Sequence, residues 1–155
     1  MDAKGNHINV YERDLNSELI FEIPLAITTS RNSNIFITDD IKCRVVVLGV
    51  DGDVQNTHTG RSIVGSGQCP FKPAGIITTP EDNIIVANSL NDALHVLDNC
   101  GNFLTCVITK ELGILYPYAL ATTATGQYQF LYIACWTPDD SCEKAKLYKL
   151  KFSGC

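Results

Sequence analysis

Apolar residues in this chain come in short runs, each closed by turn chemistry. The clearest stretch is 73–101, PAGIITTPEDNIIVANSLNDALHVLDNCG. Its runs are Ala74-Gly75-Ile76-Ile77, Asn83-Ile84-Ile85-Val86-Ala87 and Ala93-Leu94-His95-Val96-Leu97. Between them lie Pro80-Glu81-Asp82, then 88–92, then Asp98-Asn99-Cys100-Gly101. Runs this short, rich in β-branched and aliphatic residues and bounded by Pro, Gly, Asn and Asp, predict strands rather than helices.

The pattern repeats. Pro24-Leu25-Ala26-Ile27 matches Pro73-Ala74-Gly75-Ile76 and Pro117-Tyr118-Ala119-Leu120, so the prolines stand 49 residues apart (24 to 73) and then 44 (73 to 117). A second run follows each proline: Ile35-Phe36-Ile37-Thr38-Asp39, Ile84-Ile85-Val86-Ala87-Asn88 and Leu131-Tyr132-Ile133-Ala134-Cys135. A third follows that: Arg44-Val45-Val46-Val47-Leu48, Ala93-Leu94-His95-Val96-Leu97 and Lys146-Leu147-Tyr148-Lys149-Leu150. Each third run ends four residues before a glycine, at Gly52, Gly101 and Gly154. A period in the forties with three or four strands per unit marks a propeller blade. The fold expected is all-β, a partial β-propeller of about three four-stranded antiparallel blades.

At the start, Ile8-Asn9-Val10-Tyr11 aligns with the third runs, and 17–23 reads as a further strand leading to Pro24. The expected division is a half blade at 6–23, blades at 24–72 and 73–116, and a blade lacking its outermost strand at 117–155. Three blades are too few for comfortable ring closure, and no capping features are visible. The chain is therefore expected to be part of a larger propeller, or else to associate through open edges.

Composition narrows the partners. The chain of 155 residues is 45% hydrophobic and 19% charged, a globular balance, with net charge −5. An acidic balance gives no general attraction to nucleic acid or to anionic membranes. No apolar run is long enough to span a bilayer, and the opening MDAKGNHINVYERD has no apolar signal region. A cytoplasmic location without membrane association is expected. The seven cysteines, an odd number without CxxC spacing, argue against a disulfide framework. Only three histidines are present, and His95 within a strand reads as a packed side chain. Neither a metal nor any other cofactor is expected.

The repeating unit, with its opening proline, small residue, N-I-(I/F)-(I/V) run and closing D/N-x-G, resembles the NHL repeat. It resembles in particular the C-terminal propellers of tripartite-motif (TRIM-NHL) proteins. Pro24, Pro73 and Pro117 stand at the family's opening proline, and Ala26, Gly75 and Ala119 at its small residue. Asp39 and Asn88 stand at the polar end of the second strand, Arg44 at the Arg before the third, and Gly52 and Gly101 at the next turn. Cys135-Trp136 departs from the Asp-Ser expected there, and Ala93 and Lys146 replace the Arg. Each motif residue also has a scaffold reading. A small residue lets inner strands crowd together; Asp39 and Asn88 can bond backbone N–H groups two residues on; Gly52 and Gly101 supply positive φ.

Binding in repeat folds resides in loops. The connections 40–43, 89–92 and 136–144, with the blade-to-blade connections 57–72 and 109–116, are expected to share one face. They offer Lys42, Arg44, His58, Arg61, Lys72, Asn91, Lys110, Tyr116, Tyr118 and Trp136 as candidate binding residues. An exposed Trp beside basic residues suits anchoring a peptide or stacking on a base.

The resemblance implies a non-catalytic recognition scaffold that binds a protein partner or ubiquitination target. It would be the targeting part of a tripartite-motif-like ubiquitin ligase, whose RING, B-box and coiled coil are not in this sequence. On this reading the chain itself is not an enzyme. One alternative is an RNA-binding propeller, with Lys42, Arg44, Arg61 and Lys72 as the basic patch. Another is a piece of a metal-dependent enzyme similar to gluconolactonases. That chemistry needs oxygen ligands from inner strands, and 24–30, 73–79 and 117–123 contain no Asp, Glu, Asn, Gln or His.

Overall fold

Strands that are apolar at successive positions, not alternate ones, need cover on both faces of their sheet. A computed structural model, describing residues 9–60, 71–125, 128–138 and 144–152, shows where that cover comes from. The first sheet is β1 (Pro24–Thr29), β2 (Ile35–Asp39), β3 (Arg44–Leu48) and β4 (Val54–His58). The second is β5 (Pro73–Thr78), β6 (Ile84–Asn88), β7 (Ala93–Leu97) and β8 (Phe103–Ile108). The third contains β9 (Pro117–Thr125), β10 (Tyr128–Cys135) and β11 (Lys146–Phe152). Within each sheet, sequence neighbours pair antiparallel. The fold is all-β, a partial β-propeller in which the third blade has three described strands.

The blades stack face to face. Phe36, Val45 and Val47 of the first blade pack on Ile76, Ile84, Val86 and Leu97 of the second, with Phe71 between them. The opposite face of the second blade, including Ile85, Ala87 and Leu94, packs on Leu131, Ile133 and Cys135 of the third. Adjacent residues of β6 thus serve two different cores, which is why β6 and β7 are buried at every position. Each such aliphatic side chain contributes about 1.5–3 kcal/mol by leaving water.

Inner strands converge, β1 against β5 and β5 against β9. Thr28 and Thr78 share a 2.8 Å hydroxyl–hydroxyl bond across the first contact. At the second, Gly75 lies against bare backbone: a Cβ there would stand 2.5 Å from the Tyr118 carbonyl oxygen and 2.9 Å from Ala119 Cα. Crowding of the inner strands thus has a concrete cause at this position. Gly75→Ala is expected to cost about 1–3 kcal/mol by forcing β5 and β9 apart, read as a lower urea midpoint. An unchanged midpoint would show that the strands are free to separate.

Residues 9–23 differ from expectation. The predicted strand over 17–23 is not formed; a single bridge joins Arg13 and Leu19. Asp14 explains the irregularity, because its carboxylate accepts the N–H groups of Asn16 and Glu18 at 2.9 Å and closes a turn where a strand would run. The segment still covers part of the first blade: Ile20 is buried with Ile37, Val46 and Leu48, and Tyr11 and Phe21 pack beside them. Residues 1–8, which include the first three of the half blade expected at 6–23, lie outside the described residues.

Candidate functional site

Each inner strand begins with a proline that cannot donate, so the residue before it holds the last N–H that needs a partner. In the first blade Asp39 supplies it: Oδ1 accepts Ile23 N–H at 3.0 Å and Oδ2 accepts Glu22 N–H at 3.1 Å. In the second, Asn88 Oδ1 accepts Lys72 N–H at 3.1 Å. These acceptors reach sixteen residues back, joining the end of the second strand to the start of the first, rather than bonding two residues on as the local motif suggested. A backbone bond accompanies each: Asp40 N–H to Ile23 O at 2.9 Å, Ser89 N–H to Lys72 O at 3.1 Å, and Trp136 N–H to Tyr116 O at 3.0 Å.

The third blade keeps the backbone bond and lacks the side-chain acceptor, because Cys135 stands where Asp39 and Asn88 do. Tyr116 N–H turns instead to Asp92 Oδ1 of the second blade, at 2.7 Å. Asp92, itself left-handed at φ +47°, also accepts Thr109 N–H through its carbonyl at 2.7 Å, so it ties the connection 109–116 to the second blade. The substitution has a structural consequence. Tyr116 has φ +51°, sparsely populated for an aromatic residue, whereas the register shift beside the opening proline is common to all three blades. Strained backbone of this kind concentrates at functional sites.

A cleft of about 220 Å³ opens there. Tyr116 and Trp136 form one wall, edge to face, with ring centroids 5.8 Å apart and planes at 86°. Leu115, Pro138 and Tyr148 continue the lining, and Lys144 and Lys146 also border it. Tyr148 donates its hydroxyl to Gly113 O at 3.1 Å, fixing the far wall. Trp136 is 45% exposed, so an indole stands open beside a cleft that is already formed. At its floor, burial first and then the Asp92 carboxylate push the Cys135 thiol above its ordinary range. It is a protonated thiol near neutral pH, not a ready nucleophile. The cleft is built to hold an apolar or aromatic group between rings, with cationic side chains at its border.

Most of the other loop candidates do structural work. Lys42 donates to Leu19 O at 2.7 Å, and Arg44 to Ile20 O at 2.6 Å, pinning residues 9–23 to the first blade. Lys72 bridges blades through Asp40, 2.6 Å from its carboxylate and 3.1 Å from its carbonyl oxygen. Asn91 donates to Asn88 Oδ1 at 3.2 Å. Tyr118 is exposed on β9 and Lys110 on the short 3-10 turn Thr109–Leu112. Arg61 lies outside the described residues. Tyr116 and Trp136 are thus brought together, whereas Lys42, Arg44 and Lys72 are each engaged by backbone or carboxylate oxygens around residues 19–20 and 40.

His58 is buried, not displayed, and its partner was not foreseen: His58 Nε2 lies 3.0 Å from His95 Nδ1. Proton placement follows from the neighbours. Lys72 N–H can only donate, so Asn88 presents Oδ1 to it and its amide N–H to His95 Nε2, at 3.3 Å. His95 therefore carries its proton on Nδ1 and donates to His58 Nε2. Phe71 and Phe103 close around both rings. Burial, and then the neighbouring His58, lower the His95 pKa to about 4.

Among the described residues no group of three or more His, Cys, Asp or Glu side chains is arranged to hold a metal. Nor is any helix among them long and apolar enough to cross a membrane.

No family model matches the sequence, and no curated protein matches it. Solved structures do match, as β-propellers. A luciferin-regenerating enzyme superposes with TM-score 0.60 at 16% identity, over 85% of this chain and 46% of that one. A streptogramin B lyase gives 0.55 at 16%, over 82% and 40%. The Dos1 propeller gives 0.60 at 13%, over 90% and 36%. The likeness is one of fold, and the chain spans less than half the length of each of these structures. The expectation that the chain is not an enzyme needs correction, since two of the three are a lyase and a regenerating enzyme. Its propeller is a fold on which catalysts are built, and the fold does not exclude catalysis.

Proposed function

We propose that this chain is the recognition face of a β-propeller and takes an apolar or aromatic side chain of a protein segment between Tyr116, Trp136 and Tyr148. One observation carries the reading: a strained tyrosine backbone and a half-exposed tryptophan form a ready cleft where the third blade departs from the repeat. Rigid aromatic anchors in preformed pockets dominate protein interfaces. The resemblance to NHL repeats supports a target-selecting role, as in the propellers of tripartite-motif-like ubiquitin ligases. The RNA alternative has weaker support, because Lys42, Arg44 and Lys72 are engaged in intramolecular ties.

The chain has one tryptophan, so its emission reports the cleft directly. Peptides selected from a random library against the purified protein are expected to shift or quench that emission. Trp136→Ala should weaken their binding by at least about 30-fold, the loss of a hot-spot residue. Selected peptides that bind Trp136→Ala as well as the parent would remove the reading.

A further inference from the structure

The two outermost blade faces are not alike. On the first blade, residues 9–23 cover the middle strands β2 and β3 and leave β1 bare: Leu25 and Ile27 are exposed, Ile27 at 65%, beside a cleft of about 260 Å³ lined by Phe21, Ala26 and Ile37. The covering segment is acidic, with Glu12, Asp14, Glu18 and Glu22 against the single Arg13. On the third blade, Leu131, Ile133, Tyr148 and Leu150 face the second blade, so strand alternation turns Phe130, Tyr132, Leu147, Lys149 and Lys151 outward. Leu147 is 70% exposed. Lys149 lies over the rings of Phe130 at 4.1 Å and Tyr132 at 5.6 Å, and Lys151 over Tyr128 at 3.7 Å. Strands β9 to β11 contain three lysines and no acidic residue.

We infer that these faces bind each other between two copies of this chain, head to tail, closing one ring. The third-blade face has an apolar centre, and the apolar surface left open on the first blade is β1, because Ile20 already covers Ile37, Val46 and Leu48. The inner strands joined within the chain show how such surfaces meet. Their charges are complementary, acidic at one end and basic at the other, which aligns the head-to-tail pairing and opposes like ends meeting. In extent, the chain aligns with 46% of the luciferin-regenerating enzyme, 40% of the lyase and 36% of the Dos1 propeller, so two copies would supply roughly three-quarters or more of such a ring. A two-fold axis then produces two equal head-to-tail contacts and leaves no open blade face.

Sedimentation equilibrium of the purified 155-residue protein at 1–100 µM (roughly the range where weak dimers dissociate) tests this. A single species of twice 17.0 kDa is expected. Ile27→Glu, at an exposed position outside the blade cores, should raise the dimer dissociation constant at least tenfold, as should the pair Lys149→Glu and Lys151→Glu. Adding Glu18→Lys and Glu22→Lys to that pair should restore most of the lost affinity, because the reversed patches attract again. Circular dichroism of each variant checks that the sheets remain. A monomer at 100 µM would overturn the inference, as would open polymers, a dimer indifferent to Ile27→Glu, or the absence of rescue in a folded quadruple variant.

Discussion

Asp39→Ala is expected to destabilise the protein by about 3–5 kcal/mol, the largest effect of any single substitution considered. The carboxylate is fully buried and accepts two backbone N–H groups, while Arg44 Nε lies 3.9 Å from it. Alanine would leave Glu22 and Ile23 N–H unsatisfied and a guanidinium without its counter-charge. Each orphaned buried donor costs about 1–3 kcal/mol, so the two N–H groups carry most of the loss and the long, partly exposed contact with Arg44 adds little. Asp39→Asn should cost roughly half as much. Asn88 performs the same task in the second blade with one amide oxygen, but at position 39 the amide nitrogen would confront a second N–H. Urea unfolding followed by circular dichroism measures both variants. A loss below about 1 kcal/mol for the alanine variant would mean that water replaces the carboxylate freely.

Acid should act through the histidine pair. The folded-state pKa of His95, about 4, lies below the ordinary 6.5, so near neutral pH neither state binds the proton. As pH falls below about 6.5 the unfolded chain takes up a proton that the folded chain refuses. Stability is therefore present above that pH and is lost progressively as pH falls through about 4. The gap corresponds to about 3 kcal/mol. The hydrogen bonds give the same sign: a proton added at Nε2 would face the Asn88 amide, itself a donor. Asp82, whose carboxyl the Asn99 amide and then the Arg31 N–H hold below its ordinary range, contributes acid sensitivity of its own, so the decisive quantity is a difference. His95→Gln, though less stable at neutral pH, should lose about 3 kcal/mol less than the parent between pH 7.5 and 4. Parallel losses would show that His95 is not the group that titrates.

The repeat was legible because a propeller writes its geometry locally. Proline opens each inner strand, glycine closes the third, and doubly covered strands need unbroken aliphatic runs such as Ile84-Ile85-Val86-Ala87. Long-range partners were not legible. Asp39 and Asn88 look like local turn formers, yet both bond sixteen residues upstream; only the recurrence of that interval, 23 with 39 and 72 with 88, carried the information. The strand expected over 17–23 failed because Asp14 offered its segment a competing turn.

The site was legible in part for a similar reason. Trp136 and Tyr116 stood out as loop aromatics, and Cys135-Trp136 was visible as a break in the repeat. That the break would move the Tyr116 N–H to Asp92 depends on how neighbouring blades meet, which no local pattern reveals. Lys42, Arg44 and Lys72 looked like a basic face because a sequence shows charges without the carbonyl and carboxylate oxygens that engage them. His58 looked like a loop residue and proved to be core.

The most direct test of the recognition cleft is a nitrogen–proton correlation spectrum of the labelled chain, recorded as a library-selected peptide is added. The Trp136 indole and backbone signals are expected to move first, together with Tyr116, Lys144 and Tyr148, while Lys42, Arg44, Leu25 and Ile27 stay in place. Saturable changes confined to the Lys42 and Arg44 region, or to the bare β1 strand, with Trp136 unmoved, would contradict recognition at that cleft.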